Sequence, residues 1–364
     1  MDIRVELTSR PKPKPDPEGL VFGKVFTDHM FIAEYETGKG WYKADILPYG
    51  PLELEPSLAT LHYAQSVFEG LKCYRSDDDR LLLFRPSMNF SRLNRSDERL
   101  CIPHIDEGFA LHALETLLRI DKDWVPKLSG TSLYIRPFVF ASECSLGVHP
   151  SNLYKFMIIL CPVGAYYKEG LNPVKILIED EYVRSVRGTI GFTKGAANYA
   201  ISLKGQEKAQ SSGFTQALWL DGVERKYIEE VGTMNVFFKI NGEVVTPKLT
   251  DSILAGVTRD SVIHLVKNKG LPLSERLISV DELLEAQEKG LLEEAFGSGT
   301  AAVISPIGSL SWKGKEFTIG DGGIGALSQS LYDQLTGIQY GRLPDPFGWV
   351  HEVKGCSTIE KTSP

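Results

Sequence analysis

Apolar and polar residues alternate along this chain in short runs, most of them the length of a strand. Residues 81–84 and 133–140 read as strands of this kind, and 155–161 as a buried one. Helical spacing predicts a helix from Ser87, as its cap, to about Leu100, and a second over 106–122. In the second half, strands and helices take turns. Residues 216–220 read as a strand, and 236–240 pairs with 243–246 across Asn241-Gly242, a type I′ hairpin signal. A helix over 258–269 is closed by Gly270. Another runs over 280–290 with Asp281 and Glu282 in its first turn, where the macrodipole favours acids.

Breakers divide the pattern. Residues 11–17, Pro-Lys-Pro-Lys-Pro-Asp-Pro, favour an extended polyproline-type arm. Residues 162–174 are rich in Gly, Pro and Tyr, which suits a crossover between domains. The expected organisation is a smaller α/β domain over 1–163, a linker over 164–174, a larger domain over 175–350 and a polar tail over 351–364.

Composition narrows the function classes. A length of 364 residues suffices for two domains, and 24% charged with 42% hydrophobic residues is ordinary for a globular protein. A net charge of −7 argues against a nucleic-acid partner. The longest apolar run, 156–163, is far too short to cross a bilayer. The first residues resemble neither a signal peptide nor a transit peptide, so a cytoplasmic location and no membrane partner are expected. Cys73, Cys101, Cys144, Cys161 and Cys356 are scattered, which reads as buried or semi-buried thiols in a reducing compartment. No spacing of Cys and His suggests a metal site.

Candidate chemistry concentrates in three segments. In Thr193-Lys194-Gly195-Ala196-Ala197-Asn198-Tyr199, a lysine crowded by small residues leaves room for a flat ligand, and a tyrosine follows five positions later. Tyr227-Ile228-Glu229-Glu230-Val231-Gly232-Thr233-Met234-Asn235 offers two adjacent glutamates, one of which can hold a protonated ring nitrogen. An extended backbone points them to opposite faces, and the residues alone do not choose between them. Phe296-Gly297-Ser298-Gly299-Thr300 offers N–H groups to an anion, as does Gly256-Val257-Thr258 at a predicted helix N-terminus, where Thr258 is equally a candidate N-cap. Arg92, Arg95 and Arg99 lie along one predicted helix as candidate positive charges for that anion. Together these parts describe a site for pyridoxal 5'-phosphate.

In that order the segments resemble the branched-chain amino acid aminotransferases of the fold type IV class. The likeness extends over nearly the whole chain, through Phe22-Gly23, Phe26-Thr27-Asp28-His29-Met30, His62-Tyr63, Val67-Phe68-Glu69-Gly70-Leu71-Lys72, Ser132-Leu133-Tyr134-Ile135-Arg136-Pro137 and Ser145-Leu146-Gly147-Val148. The resemblance implies a two-domain α/β (α+β) fold with the cofactor between the domains and a homodimer as the minimum assembly. It implies Lys194 as the Schiff-base lysine and general acid–base, Tyr199 on the phenolic oxygen, and Glu230, rather than Glu229, on the pyridine nitrogen. Arg92, Thr233, Leu254, Gly256, Val257, Thr258 and Thr300 complete the implied cofactor set.

For substrate, the resemblance implies an aromatic pocket of Phe22, Tyr63, Phe68, Tyr134 and Tyr166. Thr300 and Ala301 N–H groups would take the α-carboxylate, and Arg136 would help fix the second carboxylate of 2-oxoglutarate or orient Tyr63. Leu146 and Val148, together with Tyr63, would serve the neighbouring subunit. The implied reaction exchanges the amino group between leucine, isoleucine or valine and 2-oxoglutarate, giving branched-chain 2-oxo acids and glutamate. Ala196-Ala197 stands where the family commonly has two glycines, and Ala301-Ala302-Val303-Ile304-Ser305 where animal relatives carry a Cys-x-x-Cys pair, as in the bacterial type. A D-amino acid aminotransferase, an aminodeoxychorismate lyase and a non-catalytic relative are the alternatives.

Overall fold

The computed structural model describes residues 1–164 and 171–355. Two compact units emerge, Met1–Tyr166 with Gly337–Pro364, and Tyr167–Thr336. The segment from Gly337 onward therefore sits with the first unit, although its sequence position suggests the second. Its strand Val350–Glu352 explains this, pairing antiparallel with Leu81–Phe84. Tyr166, Cys356 and most of the expected linker and tail lie outside the described residues.

The first unit is built on a nine-stranded sheet. Its long central pair, Ser132–Ala141 and Leu153–Val163, runs antiparallel in register from Ser132 opposite Val163 to Ala141 opposite Tyr154. Helices Pro86–Arg99 and Glu107–Ile120 supply Phe90, Leu93, Leu114 and Leu117 to a core shared with Phe31, Leu83, Val139 and Phe156 from the strands. Burial of such apolar surface is the main force holding the layers together.

Helix starts depart from expectation where backbone geometry overrides side-chain capping. Ser87 caps nothing: Pro86 occupies the first turn and Arg85, with φ 52°, is the N-cap residue. Asp106 does cap the next helix, accepting from the Phe109 N–H at 2.7 Å. In the second unit, Ser279 caps Val280–Glu288 through the Glu282 N–H, and Val257–Asn268 begins after Gly256 rather than at Thr258. Residues 11–16 carry no regular element, as a polyproline-type arm requires.

The second unit's sheet closes on itself. Strands Ile228–Val231, Gln216–Leu220, Val174–Ile178, Val303–Trp312, Leu292–Gly299 and Met234–Ile240 are neighbours in that order, and the last pairs back with the first. Closure removes the open edges of this ring. The hairpin Met234–Ile240/Glu243–Pro247 turns through Asn241 and Gly242, both at positive φ (48° and 80°), as a type I′ turn requires.

Register fixes which loops meet. Asn235 faces Glu230 on one side and Ser298 on the other, so the Gly232-Thr233 turn and the Thr300–Ala301 turn leave the same end of the ring. Gly299 packs against Met234 there. Gly256, which opens Val257–Asn268, lies against the Asn235 side chain: a Cβ on it would fall 2.1 Å from Asn235 Oδ1.

Candidate active site

Lys194 precedes the helix Ala196–Ser211, whose N-cap is Gly195. Its Nζ donates to the Tyr199 hydroxyl at 3.0 Å, because the first helical turn brings the fifth residue back beside the lysine. Asn198 holds the approach to Lys194 in place, donating from Nδ2 to the Ile190 and Thr193 carbonyls at 2.8 and 3.0 Å. Ala196 and Ala197 are the first helical residues, and neither has a positive φ. Their methyl groups therefore need no strained backbone.

Glu230 is buried on Ile228–Val231 and engaged through both oxygens. Oε1 accepts from the Leu254 N–H at 3.0 Å and from Asn235 Nδ2 at 3.3 Å. Oε2 lies 3.0 Å from Arg184 Nε in a buried ion pair. Tyr199, Glu230, Thr233, Leu254, Arg184 and Asn198 border one cavity.

Glu229 is buried as well, since Ile228–Val231 is covered on both faces. Its Oε1 accepts from the Ser252 hydroxyl. Burial pushes the Glu229 carboxyl up, against the pull of Ser252 and Arg184, and the neighbouring Glu230 adds to the rise. The two glutamates thus differ in environment: only Glu230 has a guanidinium at ion-pair distance and a place on the Tyr199 cavity.

The anion-binding elements lie on the same unit. Gly256 contributes no side-chain cap to Val257–Asn268, which leaves the first-turn N–H groups of Val257 and Thr258 without a capping side chain. Thr300 and Ala301 occupy the turn between Leu292–Gly299 and Val303–Trp312. The Ser298 hydroxyl beside them is buried without a hydrogen-bond partner. An amine beside a phenol, a buried carboxylate in an ion pair and uncapped helix amides suit the imine carbon, ring nitrogen and phosphate of pyridoxal 5'-phosphate respectively.

The remaining expected residues lie on the first unit. Of the three arginines along one face of Pro86–Arg99, only Arg92 is buried, while Arg95 and Arg99, further along the helix, are exposed. Glu69 grips Arg92 at two points, Nε to Oε1 at 2.7 Å and Nη2 to Oε2 at 2.9 Å, and Asn89 Nδ2 adds a bond to the same carboxylate at 2.8 Å. Phe22 meets Tyr134 edge to face at 4.8 Å. Arg136 donates to the Tyr134 hydroxyl at 3.3 Å and covers the Phe68 ring at 4.5 Å. Tyr63 is exposed and donates to the Leu146 carbonyl at 2.5 Å, with Leu146 and Val148 projecting into solvent.

Arg184, Asn235, Ser252 and Glu69 were not singled out individually by sequence reasoning. Asn235 and Glu69 lie inside motifs that it used, whereas Arg184 stands ten positions before Lys194 with no pattern to mark it. Cys73 and Cys161 are buried, but Cys101 and Cys144 are exposed, against expectation. Among the described residues no cluster suits a metal, and no helix is long and apolar enough to cross a membrane.

The chain is similar to several known proteins. The chain is 59% identical over 351 residues to branched-chain-amino-acid aminotransferase 2 of Bacillus subtilis (strain 168), covering 96% of this chain and 97% of that one. It is 56% identical over 352 residues to branched-chain-amino-acid transaminase 1 of the same organism, covering 96% and 99%. In structure it resembles the Escherichia coli branched-chain amino acid aminotransferase, with a TM-score of 0.74, 27% identity and coverage of 90% and 99%. The T.th. branched-chain amino acid aminotransferase solved with pyridoxamine 5'-phosphate is similar, with a TM-score of 0.73, 26% identity and coverage of 88% and 98%. Residues 66–310 match the family described as amino-transferase class IV, and the chain belongs to that family.

Proposed function

We propose that this protein is a pyridoxal 5'-phosphate-dependent aminotransferase that exchanges the amino group between L-leucine, L-isoleucine or L-valine and 2-oxoglutarate. The single observation carrying this reading is Lys194 Nζ at 3.0 Å from the Tyr199 hydroxyl, with Glu230 on the cavity that Tyr199 borders. Relatives of 51–59% identity with branched-chain substrates in their names support the substrate class.

When bound, the cofactor supplies a protonated ring that draws electrons away from the substrate Cα. Glu230 would hold the proton at the ring nitrogen, and Arg184 fixes that carboxylate in place through the ion pair. Lys194 would hold the cofactor through its amine and would serve as the base and acid that moves the proton at the substrate Cα. Tyr199 donates to the phenolic oxygen. Val257 and Thr258 N–H groups, the Thr300 hydroxyl and Arg92 hold the phosphate, with Thr233, Leu254 and Gly256 shaping the remaining wall.

On the substrate side, Phe22, Phe68 and Tyr134, with Tyr63, exclude water and favour aliphatic side chains. A pocket of this kind distinguishes one methylene by only about 1–3 kcal/mol, so all three branched-chain amino acids are accepted. Thr300 and Ala301 N–H groups receive the α-carboxylate, and Arg136 the second carboxylate of 2-oxoglutarate. The working form is a cytoplasmic homodimer in which exposed Leu146 and Val148 reach the partner's pocket. The test is product formation from L-leucine and 2-oxoglutarate. One glutamate per 2-oxo acid in wild type and none in Lys194→Ala supports the reading, whereas turnover confined to a D-amino acid or to aminodeoxychorismate overturns it.

A further inference from the structure

The arm of residues 11–17 and the start of strand His29–Glu36 are fastened together at one post. Asp28 and Trp124 are both buried, and Trp124 Nε1 donates to Asp28 Oδ2 at 2.8 Å. From the arm, the Lys12 N–H donates to Asp28 Oδ1 at 2.9 Å, and Lys14 Nζ reaches Asp28 Oδ2 at 3.1 Å while lying 4.0 Å above the Trp124 ring. Lys12 Nζ then crosses to the returning chain, donating to the Phe26 and Thr27 carbonyls at 2.9 and 2.7 Å.

The roughly fifteen residues between these points therefore form a loop whose two feet are clasped, in the manner of an Ω-loop. At its far side sits Phe22, whose ring meets Tyr134 edge to face at 4.8 Å, followed by a turn at Gly23 with φ 71°. Little of the loop's own apolar surface is buried: Val21 and Phe22 remain about half exposed. Packing alone therefore holds the loop weakly. Apart from the clasp, the Gly23 N–H on Cys161 Sγ at 3.3 Å and the stacking of Phe26 on Tyr49 at 5.0 Å restrain it.

We infer that Lys12 is a positioning residue: by clasping Asp28 and the Phe26 and Thr27 carbonyls, it sets Phe22 against Tyr134 and so governs substrate affinity without touching substrate. This rests on the reading of Phe22 and Tyr134 as pocket walls. The ammonium matters more than the stem, because it donates to two carbonyls of the chain just before His29–Glu36.

The test is a KM-against-kcat comparison on the holoenzyme with L-leucine, using Lys12→Met, Lys12→Arg, Phe22→Ala and the Lys12→Met/Phe22→Ala pair. Lys12→Met should raise KM about two- to tenfold, the change that loss of one aromatic edge contact carries, with kcat nearly unchanged. Lys12→Arg should restore most of the affinity, and the double variant should show no rise beyond Phe22→Ala, because both changes act through one ring. An unchanged KM in Lys12→Met, or additive effects in the pair, overturns the inference while leaving the pocket intact. If Phe22→Ala itself leaves KM unchanged, the pocket-wall reading fails and the inference with it.

Discussion

Arg184 Nε lies 3.0 Å from Glu230 Oε2, and both side chains are buried on the second unit. A buried carboxylate without a positive partner would tend to take up its own proton and could no longer hold one on a ring nitrogen. The arginine thus keeps Glu230 available for its proposed task, while Leu254 and Asn235 fix its orientation from the other oxygen.

Removing one member of such a pair leaves the other charged and buried. Arg184→Met should therefore cost about 3 kcal/mol of stability, at the lower end for a broken buried pair. Urea unfolding of the purified protein measures this. A change below about 0.5 kcal/mol, the scale of a surface substitution, would show that the pair does not bear on folding.

Tyr199→Phe keeps the ring and removes only the hydroxyl that Lys194 meets. Loss of one hydrogen bond to a charged group predicts a fall in kcat of about ten- to a hundredfold with L-leucine. Steady-state kinetics at saturating substrate reads it directly. Wild-type kcat would place the hydroxyl outside the reaction.

Asp97 carries the clearest pH signature of the first unit. Its side chain is fully buried, both carboxylate oxygens lack a hydrogen bond, and burial together with the nearby Glu69 charge raises its pKa well above 3.8. The folded state thus binds more protons than the unfolded chain, so the Asp97 contribution to stability declines as pH rises from the ordinary aspartate value towards the elevated folded one. Asp97→Asn cannot ionise and should abolish that decline, leaving a variant less sensitive to pH over this window. Unfolding curves taken across the acid and neutral range should converge at low pH and separate upward. A variant that tracks wild type at every pH would contradict the assignment.

Gly256→Ala places a methyl group against Asn235 Oδ1, the side chain that steadies Glu230. Overpacking of this kind costs about 1–3 kcal/mol, and here it also loosens the uncapped helix end proposed to hold phosphate. Retention of cofactor through gel filtration, followed with the melting temperature, checks both effects. Full retention with an unchanged melt would mean that the contact is easily relieved.

Local rules made much of the fold legible before any coordinates. Asn241-Gly242 announced its hairpin because few residues tolerate two positive φ angles in succession. The spacing of Lys194 and Tyr199 carried the heart of the site, since one helical turn is enough to bring them together. Long-range pairing was invisible. Arg184 reaches Glu230 across 46 positions of chain, from 184 to 230, and no local pattern records it. Arg92 looked like Arg95 and Arg99 in sequence, and Glu69, in the connection between Ser66–Phe68 and Leu71–Arg75, marks it out by drawing it inward. The C-terminal segment joined the first unit through a three-residue strand too short to register as one.

The central claim is that Lys194 carries a reversible amino-group exchange with branched-chain substrate, and the visible absorption spectrum tests it most directly. Purified wild type and Lys194→Ala, each supplied with pyridoxal 5'-phosphate, are followed through addition of L-leucine and then 2-oxoglutarate. The prediction is a wild-type spectrum that shifts to the pyridoxamine phosphate band with L-leucine and returns with 2-oxoglutarate, and no internal cofactor band in the variant. A wild type that binds no cofactor, or responds only to a D-amino acid, would contradict it.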